Sequence, residues 1–251
     1  MKKKYLTLTY QFPPISGAAT QRHLRFLTRS ETFDWVPVIV TIKKKYISEV
    51  YSKDDNLVKR LDVNINVYRS MSFNPFEFFL RFTSTEKSRN KRSKHQSKSV
   101  LTQPDEIQKV QKIKNFISGL FRIPDMMNGW IPFATYKGFY AIYRHRCQII
   151  YASGGPWSAL VVGLLLSIIT RKPLVADFRD PWIRNPYHTP KLPLLEQLEV
   201  YLEKMIVQRS RFVIANTARL RQDFLQAYPE QDPDKFIHIS NGFDQRLFHH
   251  T

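Results

Sequence analysis

The chain has 251 residues, of which 43% are hydrophobic and 14% aromatic, and it carries a formal net charge of +18 at pH 7. That length and apolar content argue for a folded globule of one large domain or two small ones. The single cysteine, Cys147, excludes an internal disulfide and fits a reducing compartment. The longest apolar run, 159–169, is too short for a bilayer-spanning helix, which needs roughly 20 residues. The basic excess favours anionic partners: phospholipid headgroups, nucleic acid or a phosphorylated substrate. Six Lys and Arg and no acid fall within 87–98, so the excess is both spread along the chain and concentrated in one stretch.

The N-terminus MKKKYLTLTYQFPP has only a short apolar run broken by Thr and Pro, so it reads as a first strand (4–10) and not a signal peptide. The loop QFPPISGAA (11–19) follows, then a basic helix over about 20–29 with Leu24 and Leu27 inward. WVPVIVT (35–41) predicts a second strand and 64–68 a third. The aromatic stretch 73–82 leads into a Ser/Lys/Arg-rich segment, 83–99, too polar to order itself and read as a flexible insertion at about 83–100. A helix over 104–118 opens with Pro-Asp-Glu, residues suited to a helix N-terminus. Another helix covers 134–146.

Next comes a βαβ unit: strand 148–152, a nearly all-apolar helix 157–170, and strand 173–176. An amphipathic helix over 192–210 places Leu194, Leu195, Leu198, Tyr201, Leu202, Met205 and Ile206 at helical spacing. Strand 212–215, helix 217–227 and strand 236–239 complete the alternation, and SNGFD (240–244) is a turn signal. Strands alternating with helices predict an α/β fold, a parallel Rossmann-like sheet with helices on both faces.

Ligands of open α/β sheets bind at the carboxyl ends of the strands, and three loops there hold candidate residues. In the first, Ser16, Gly17 and Ala18 precede a helix N-terminus, where backbone N–H groups can meet an anion; a plain tight turn fits equally. Arg22 and Arg25 reach a phosphate or face solvent. The second loop, Ser153-Gly154-Gly155-Pro156, suits either close ligand approach or a sharp turn. The third, DFRDPW, sets Asp177, Arg179 and Asp180 directly after a buried strand, where charges need partners. They form an internal Asp–Arg pair, or, with Trp182 beside them, meet a ligand, since Asp can orient a sugar hydroxyl or act as a base. The seven histidines form no metal-ligand cluster, and His188 is a loop residue near the same end.

In order along the chain, YQFPPISGAATQRHLR (10–25), Ile123-Pro124-Asp125 with Trp130, SGGPWS (153–158), KPLVADFRDPW (172–182) and NGFD (241–244) resemble the N-terminal half of a family-4-type glycosyltransferase with the GT-B fold. The resemblance implies two Rossmann-like domains facing across a cleft. The N-terminal one, residues 1–240 here, would hold the acceptor, and 241–251 would begin the interdomain linker. On that pattern Ser16, Gly17, Ala18 and Arg22 lie near the donor diphosphate. Ser153, Gly154 and Gly155 line the cleft, and Asp177, Arg179 and Asp180 stand near the transferred sugar. It further implies a retaining transfer from a nucleoside-diphosphate sugar without a metal ion or other cofactor, in the synthesis of polysaccharide or lipid-linked glycan.

Three departures stand out. Gly17 is followed by Ala18 where many relatives have a second glycine, and Arg179-Asp180 replaces a common His-Asp pair; Arg does not serve as a base at neutral pH. The chain also ends at Thr251, where the resemblance places the start of the donor-binding domain, so that domain is expected to be absent or separately encoded. The expected partners are a sugar or lipid-linked acceptor and an anionic membrane surface, with the protein cytoplasmic or peripheral at the inner membrane face. The aromatic 73–82 stretch beside the basic run has the composition of a membrane anchor, though a solvated loop beside a core segment fits as well. No aromatics interrupt that basic run, so nucleic acid is not an expected partner. The alternative to a transferase half is a non-catalytic membrane-docking or glycan-binding module.

Overall fold

Among the described residues, seven short strands pair into a single parallel sheet. The computed structural model describes residues 2–59, 65–73, 116–185 and 192–242. The expected basic insertion, residues 104–115 of the expected helix, His95, His188 and the end of the chain from 243 lie outside the described residues. The strands are β1 (Lys3–Leu8), β2 (Trp35–Ile42), β3 (Asn66–Ser70), β4 (Ile149–Ser153), β5 (Leu174–Phe178), β6 (Ser210–Ala215) and β7 (Phe236–His238). Their spatial order is β3-β2-β1-β4-β5-β6-β7, all parallel. This is the Rossmann-like α/β architecture expected for the N-terminal half of a GT-B fold.

Among the described residues, five main helices connect the strands: α1 (Ala18–Ser30), α2 (Ile131–His145), α3 (Ser158–Thr170), α4 (Pro193–Arg209) and α5 (Ala218–Ala227). Strand order runs one way from β1 to β3 and the other way from β4 to β7. Right-handed crossovers therefore put α1 on one face and α2 to α5 on the other. Leu6 and Leu8 of β1 point to the second face. There the bare Cα of Gly138 in α2 sits against Leu166 and Leu6, and that of Gly163 in α3 against Ala152 and Leu174. These glycines let two helices approach the sheet and each other closely, and a methyl at Gly163 would lie 2.7 Å from the Ala152 Cβ. Tyr5, Thr7 and Thr9 alternate to the α1 face.

Boundaries move where local chemistry overrides the pattern. Helix α2 starts three residues earlier than the sequence suggests, with Pro132 in its first turn, and stops where Arg146 turns left-handed at φ 55°. Strand β3 lies two residues later than expected. The largest correction concerns α4. Leu194 and Tyr201, expected inward, are exposed, and the buried stripe is Leu195, Glu199, Glu203, Ile206 and Val207. Two carboxylates at i and i+4 take core positions because the core offers them partners.

Candidate functional site

The chain reverses its direction across the sheet between β1 and β4, and the loops after these two strands frame a crevice at the carboxyl edge. The first loop is held from below. Arg69 of β3 donates to the Pro13 carbonyl (2.6 Å), Asp54 N–H to the Pro14 carbonyl (2.7 Å) and Ser16 N–H to the Ser52 carbonyl (2.9 Å). Gly17 then takes φ 128° and ψ 174°, a region that is essentially glycine-only. Open space surrounds its missing side chain, so backbone conformation and not crowding requires glycine there. Gly17 and Ala18 are exposed at the start of α1, which has no acid in its first turn and no side-chain cap. By contrast, the N-terminus of α3 is already filled: Asp125 accepts from the Ser158 N–H and hydroxyl, each at 2.7 Å.

Asp177 is not a loop residue. It lies within β5, in register with Ser153 of β4, and both are fully buried. Its Oδ2 accepts from Tyr151 Oη (2.5 Å), Ser153 Oγ (3.1 Å) and Arg22 Nε (3.2 Å), and its Oδ1 accepts from Arg22 Nη2 (3.0 Å). Arg22 is 4% exposed, so it reaches neither solvent nor an open phosphate site. Its remaining nitrogen, Nη1, donates to the Ile239 and Ser240 carbonyls and to Asn241 Oδ1 at 3.0–3.2 Å. One guanidinium thereby ties α1 to β5 and to the segment leaving β7. Burial and the Asp177 carboxylate together hold the Tyr151 hydroxyl in its protonated form, well above the usual range.

Arg179 also turns inward. Its Nε donates to the Gly154 carbonyl (2.6 Å) and its Nη2 to the Gly155 carbonyl, which straps the DFRDPW loop to the SGGP loop. Gly155 has φ 74°, and a Cβ there would meet Arg179 Nη2 at 2.7 Å. The internal Asp–Arg pair foreseen as one option does form, but Arg22 and not Arg179 is the partner. Trp182 is buried and stacks on Trp157 (centroids 5.7 Å, 12°), so it builds the loop and does not face the crevice. Asp180 alone of the three charges is exposed, with Oδ2 3.5 Å from where a Gly155 Cβ would be.

Ser153, Gly154, Gly155, Asp177, Arg179 and Asp180 thus form one cluster, with Arg22 behind it. The surface they leave open consists of Gly155, the Asp180 carboxylate and, at the neighbouring loop, Gly17 and Ala18. Sequence reasoning missed three supports. Tyr151 shares a strand face with Ser153 at i, i+2, and Asp125 caps α3. Glu203 accepts from Ile183 N–H (3.2 Å), Arg184 Nη1 (2.8 Å) and Tyr228 Oη (2.8 Å), fixing the chain just beyond DFRDPW. The i, i+4 pair Glu199/Glu203 amid leucines was the available signal.

His23, one turn into α1 beside Arg22, is fully buried and shares a hydrogen bond with Thr9 Oγ1 (2.9 Å). Burial, then the Arg179 and Arg22 charges, lower its pKa to about 3. It lines a cavity of about 290 Å³ beneath α1 together with Thr7, Phe26, Tyr151 and Ile214. Among the described residues no three His, Cys, Asp or Glu gather as a metal-holding group, and no helix is long and apolar enough to cross a membrane.

Among solved structures, the chain is similar to the crystal structure of Anabaena Alr3699/HepE in complex with UDP (19% identity, TM-score 0.50, covering 99% of this chain and 46% of that one). It also aligns with Acinetobacter baumannii MurG (7% identity, TM-score 0.46, 98% and 47%). The chain therefore spans about half the length of the solved proteins it matches. No curated protein matches it. Residues 93–247 match the sequence model of Glycosyltransferase Family 4. That stretch is more than half of the chain and contains both the SGGP and DFRDPW loops, and the chain belongs to Glycosyltransferase Family 4.

Proposed function

We propose that the chain is the N-terminal, acceptor-binding half of a retaining, nucleotide-sugar-dependent glycosyltransferase that builds polysaccharide or lipid-linked glycan. The observation that carries this reading is the division of labour at the carboxyl edge. Buried Asp177 and Arg22 hold the loops in place, while Gly17, Ala18, Gly155 and Asp180 stay open at the switch point. The unfilled N-terminus of α1 presents backbone amides to a diphosphate, with the helix dipole in support. Asp180 supplies a carboxylate that accepts a hydrogen bond from a sugar hydroxyl. Asp177 and Arg179 act as positioning residues. UDP, the ligand in the Anabaena structure, is the kind of leaving group such a transfer releases. On the same reading the donor is a nucleoside-diphosphate sugar, no metal ion takes part, and a second Rossmann-like domain supplies the donor wall.

The test is sugar transfer by the purified chain, measured as nucleoside diphosphate released from a panel of nucleotide sugars in the presence of lipid and oligosaccharide acceptors. Catalysis needs both walls to position the two substrates, so the chain alone gives little or no transfer. It retains binding to a subset of the acceptors. Robust transfer by this chain alone contradicts the half-enzyme reading, and failure to bind any acceptor contradicts the acceptor role.

A further inference from the structure

Helix α2 turns most of its aromatic bulk away from the sheet. A helix covering a sheet ordinarily turns its bulky apolar residues inward and its polar ones to water. Here the buried positions include the small residues Ala134, Gly138 and Ala141, as close packing on α3 requires. Ile142 is buried beside them, but four aromatic residues face outward: Tyr136 is 69% exposed, Phe139 40%, Tyr140 48% and Tyr143 60%. Their spacing, i, i+3, i+4 and i+7, aligns them in one stripe along the helix. With Arg144 they line an open groove of about 520 Å³. The stripe is ordered: Phe139 and Tyr143 pack at 4.7 Å between centroids, and Tyr140 packs edge-on against Tyr68, whose hydroxyl pairs with His145 Nε2 at 2.6 Å.

Charge selects what this stripe meets. From Met126 to Ala176 the sequence has no Asp or Glu, while Lys137, Arg144, Arg146, Arg171 and Lys172 all fall there. Lys137 Nζ lies 5.9 Å over the Tyr136 ring, so cation and aromatic share one surface. The charges of Lys4 and Arg144 bear on His145 at the helix end, and those of Lys4 and Lys172 on the neighbouring Cys147, so these three cations stand at that end of the helix. Three of the four stripe residues are tyrosines, each with an apolar ring and a polar tip. Such side chains settle at a membrane–water boundary, and flanking Lys and Arg meet anionic headgroups there.

We propose that the outer face of α2 is a docking surface for an anionic phospholipid bilayer, with Tyr136, Phe139 and Tyr143 entering the interface and Lys137 and Arg144 contacting headgroups. The contact is separate from the crevice at the strand ends and does not depend on the sugar chemistry proposed above.

The experiment is co-sedimentation of the whole chain with sucrose-loaded vesicles of phosphatidylcholine, either pure or with 30 mol% phosphatidylglycerol. The expected result is binding to the anionic vesicles, weakened by added salt and much weaker on pure phosphatidylcholine. Tyr136→Ser/Phe139→Ser/Tyr143→Ser lowers the partition constant at least tenfold, and Lys137→Glu/Arg144→Glu removes the preference for phosphatidylglycerol. All five side chains are at the surface, so unchanged circular dichroism and thermal midpoint are expected of both variants. Tyr140 is left in place because it packs on Tyr68. Three outcomes overturn the proposal. One is no binding to anionic vesicles at low salt. Another is binding that the aromatic triple variant leaves within twofold, which moves docking to another basic segment. The third is a wild-type dimer that the triple variant abolishes, which gives the stripe to a second copy of the chain.

Discussion

Arg22 and Asp177 stand 155 residues apart in sequence and meet as a two-point ion pair, Nε to Oδ2 at 3.2 Å and Nη2 to Oδ1 at 3.0 Å, with almost no solvent access to either. The pair joins the first helix of the chain to the fifth strand. Through Nη1 it also holds the carbonyls beyond the seventh. Removing one partner leaves a buried charge uncompensated, which typically costs about 3–5 kcal/mol. Arg22→Met and Asp177→Ala should each lower stability by that order in urea unfolding. A double Arg22→Met/Asp177→Leu variant should recover part of the loss, since no lone charge remains. Single variants within about 0.5 kcal/mol of wild type, the range usual for surface changes, would contradict the staple.

Glu203 supports the far end of the same loop through Ile183, Arg184 and Tyr228. Glu203→Leu strips three donors of their acceptor, and we expect a loss of about 2–4 kcal/mol. Amide hydrogen exchange should rise at Ile183 and Arg184 before it rises in β5. Uniform loosening of the whole sheet would show instead that Glu203 acts only through global stability.

The two left-handed glycines fail differently when changed. Gly17→Ala forces a side chain into a glycine-only backbone region at a cost of order 1–3 kcal/mol, with no steric neighbour. Gly155→Ala adds to its own strain a clash with Arg179 Nη2. A Gly155→Ala/Arg179→Ala double variant should therefore be less damaged than the sum of its parts, whereas no such rescue exists for Gly17→Ala. Thermal midpoints of the four variants decide this.

His23 sets a pH dependence. Above about pH 6.5 the imidazole is neutral in both folded and unfolded chains. Between 6.5 and its native pKa of about 3, the unfolded chain takes up a proton that the buried ring refuses. Stability therefore falls as pH drops, by up to about 1.4 kcal/mol per pH unit. The lowered pKa of His145 acts in the same direction. His23→Gln removes the ionisation and keeps a polar group for Thr9. Its urea midpoint should drop less between pH 7.5 and pH 5 than that of wild type, and an unchanged drop would contradict the assignment.

Much of the fold was legible in the sequence because each βαβ unit is local: apolar strands, glycine turns and helix periodicity announce themselves within about 30 residues. The edge that holds the site was legible for the same reason, since SGGP and DFRDPW both follow apolar strands. The direction of each charge was not. Whether Asp177 faces a ligand or Arg22 depends on strand register and on which face α1 covers, and both are set by residues far away in sequence. The inward face of α4 was misread for a related cause. Glu203 looks like a surface residue until Arg184 and Tyr228 are brought against it. The outward stripe of α2 likewise depends on α3, whose approach demands the small face.

Ligands are expected to meet the open rim at Gly17–Ala18, Gly155 and Asp180, while Asp177 and Arg22 only hold it in place. Backbone amide shifts of the ¹⁵N-labelled chain, followed on titration with nucleoside diphosphates and with oligosaccharide and short-chain lipid-linked acceptors, test it directly. The predicted result is a set of perturbed amides centred on residues 16–19, 154–156 and 179–181, weakened by Asp180→Asn with no change in thermal midpoint. Perturbations confined to the cavity beneath α1 around Thr7 and Ile214, or none with any ligand, would contradict it.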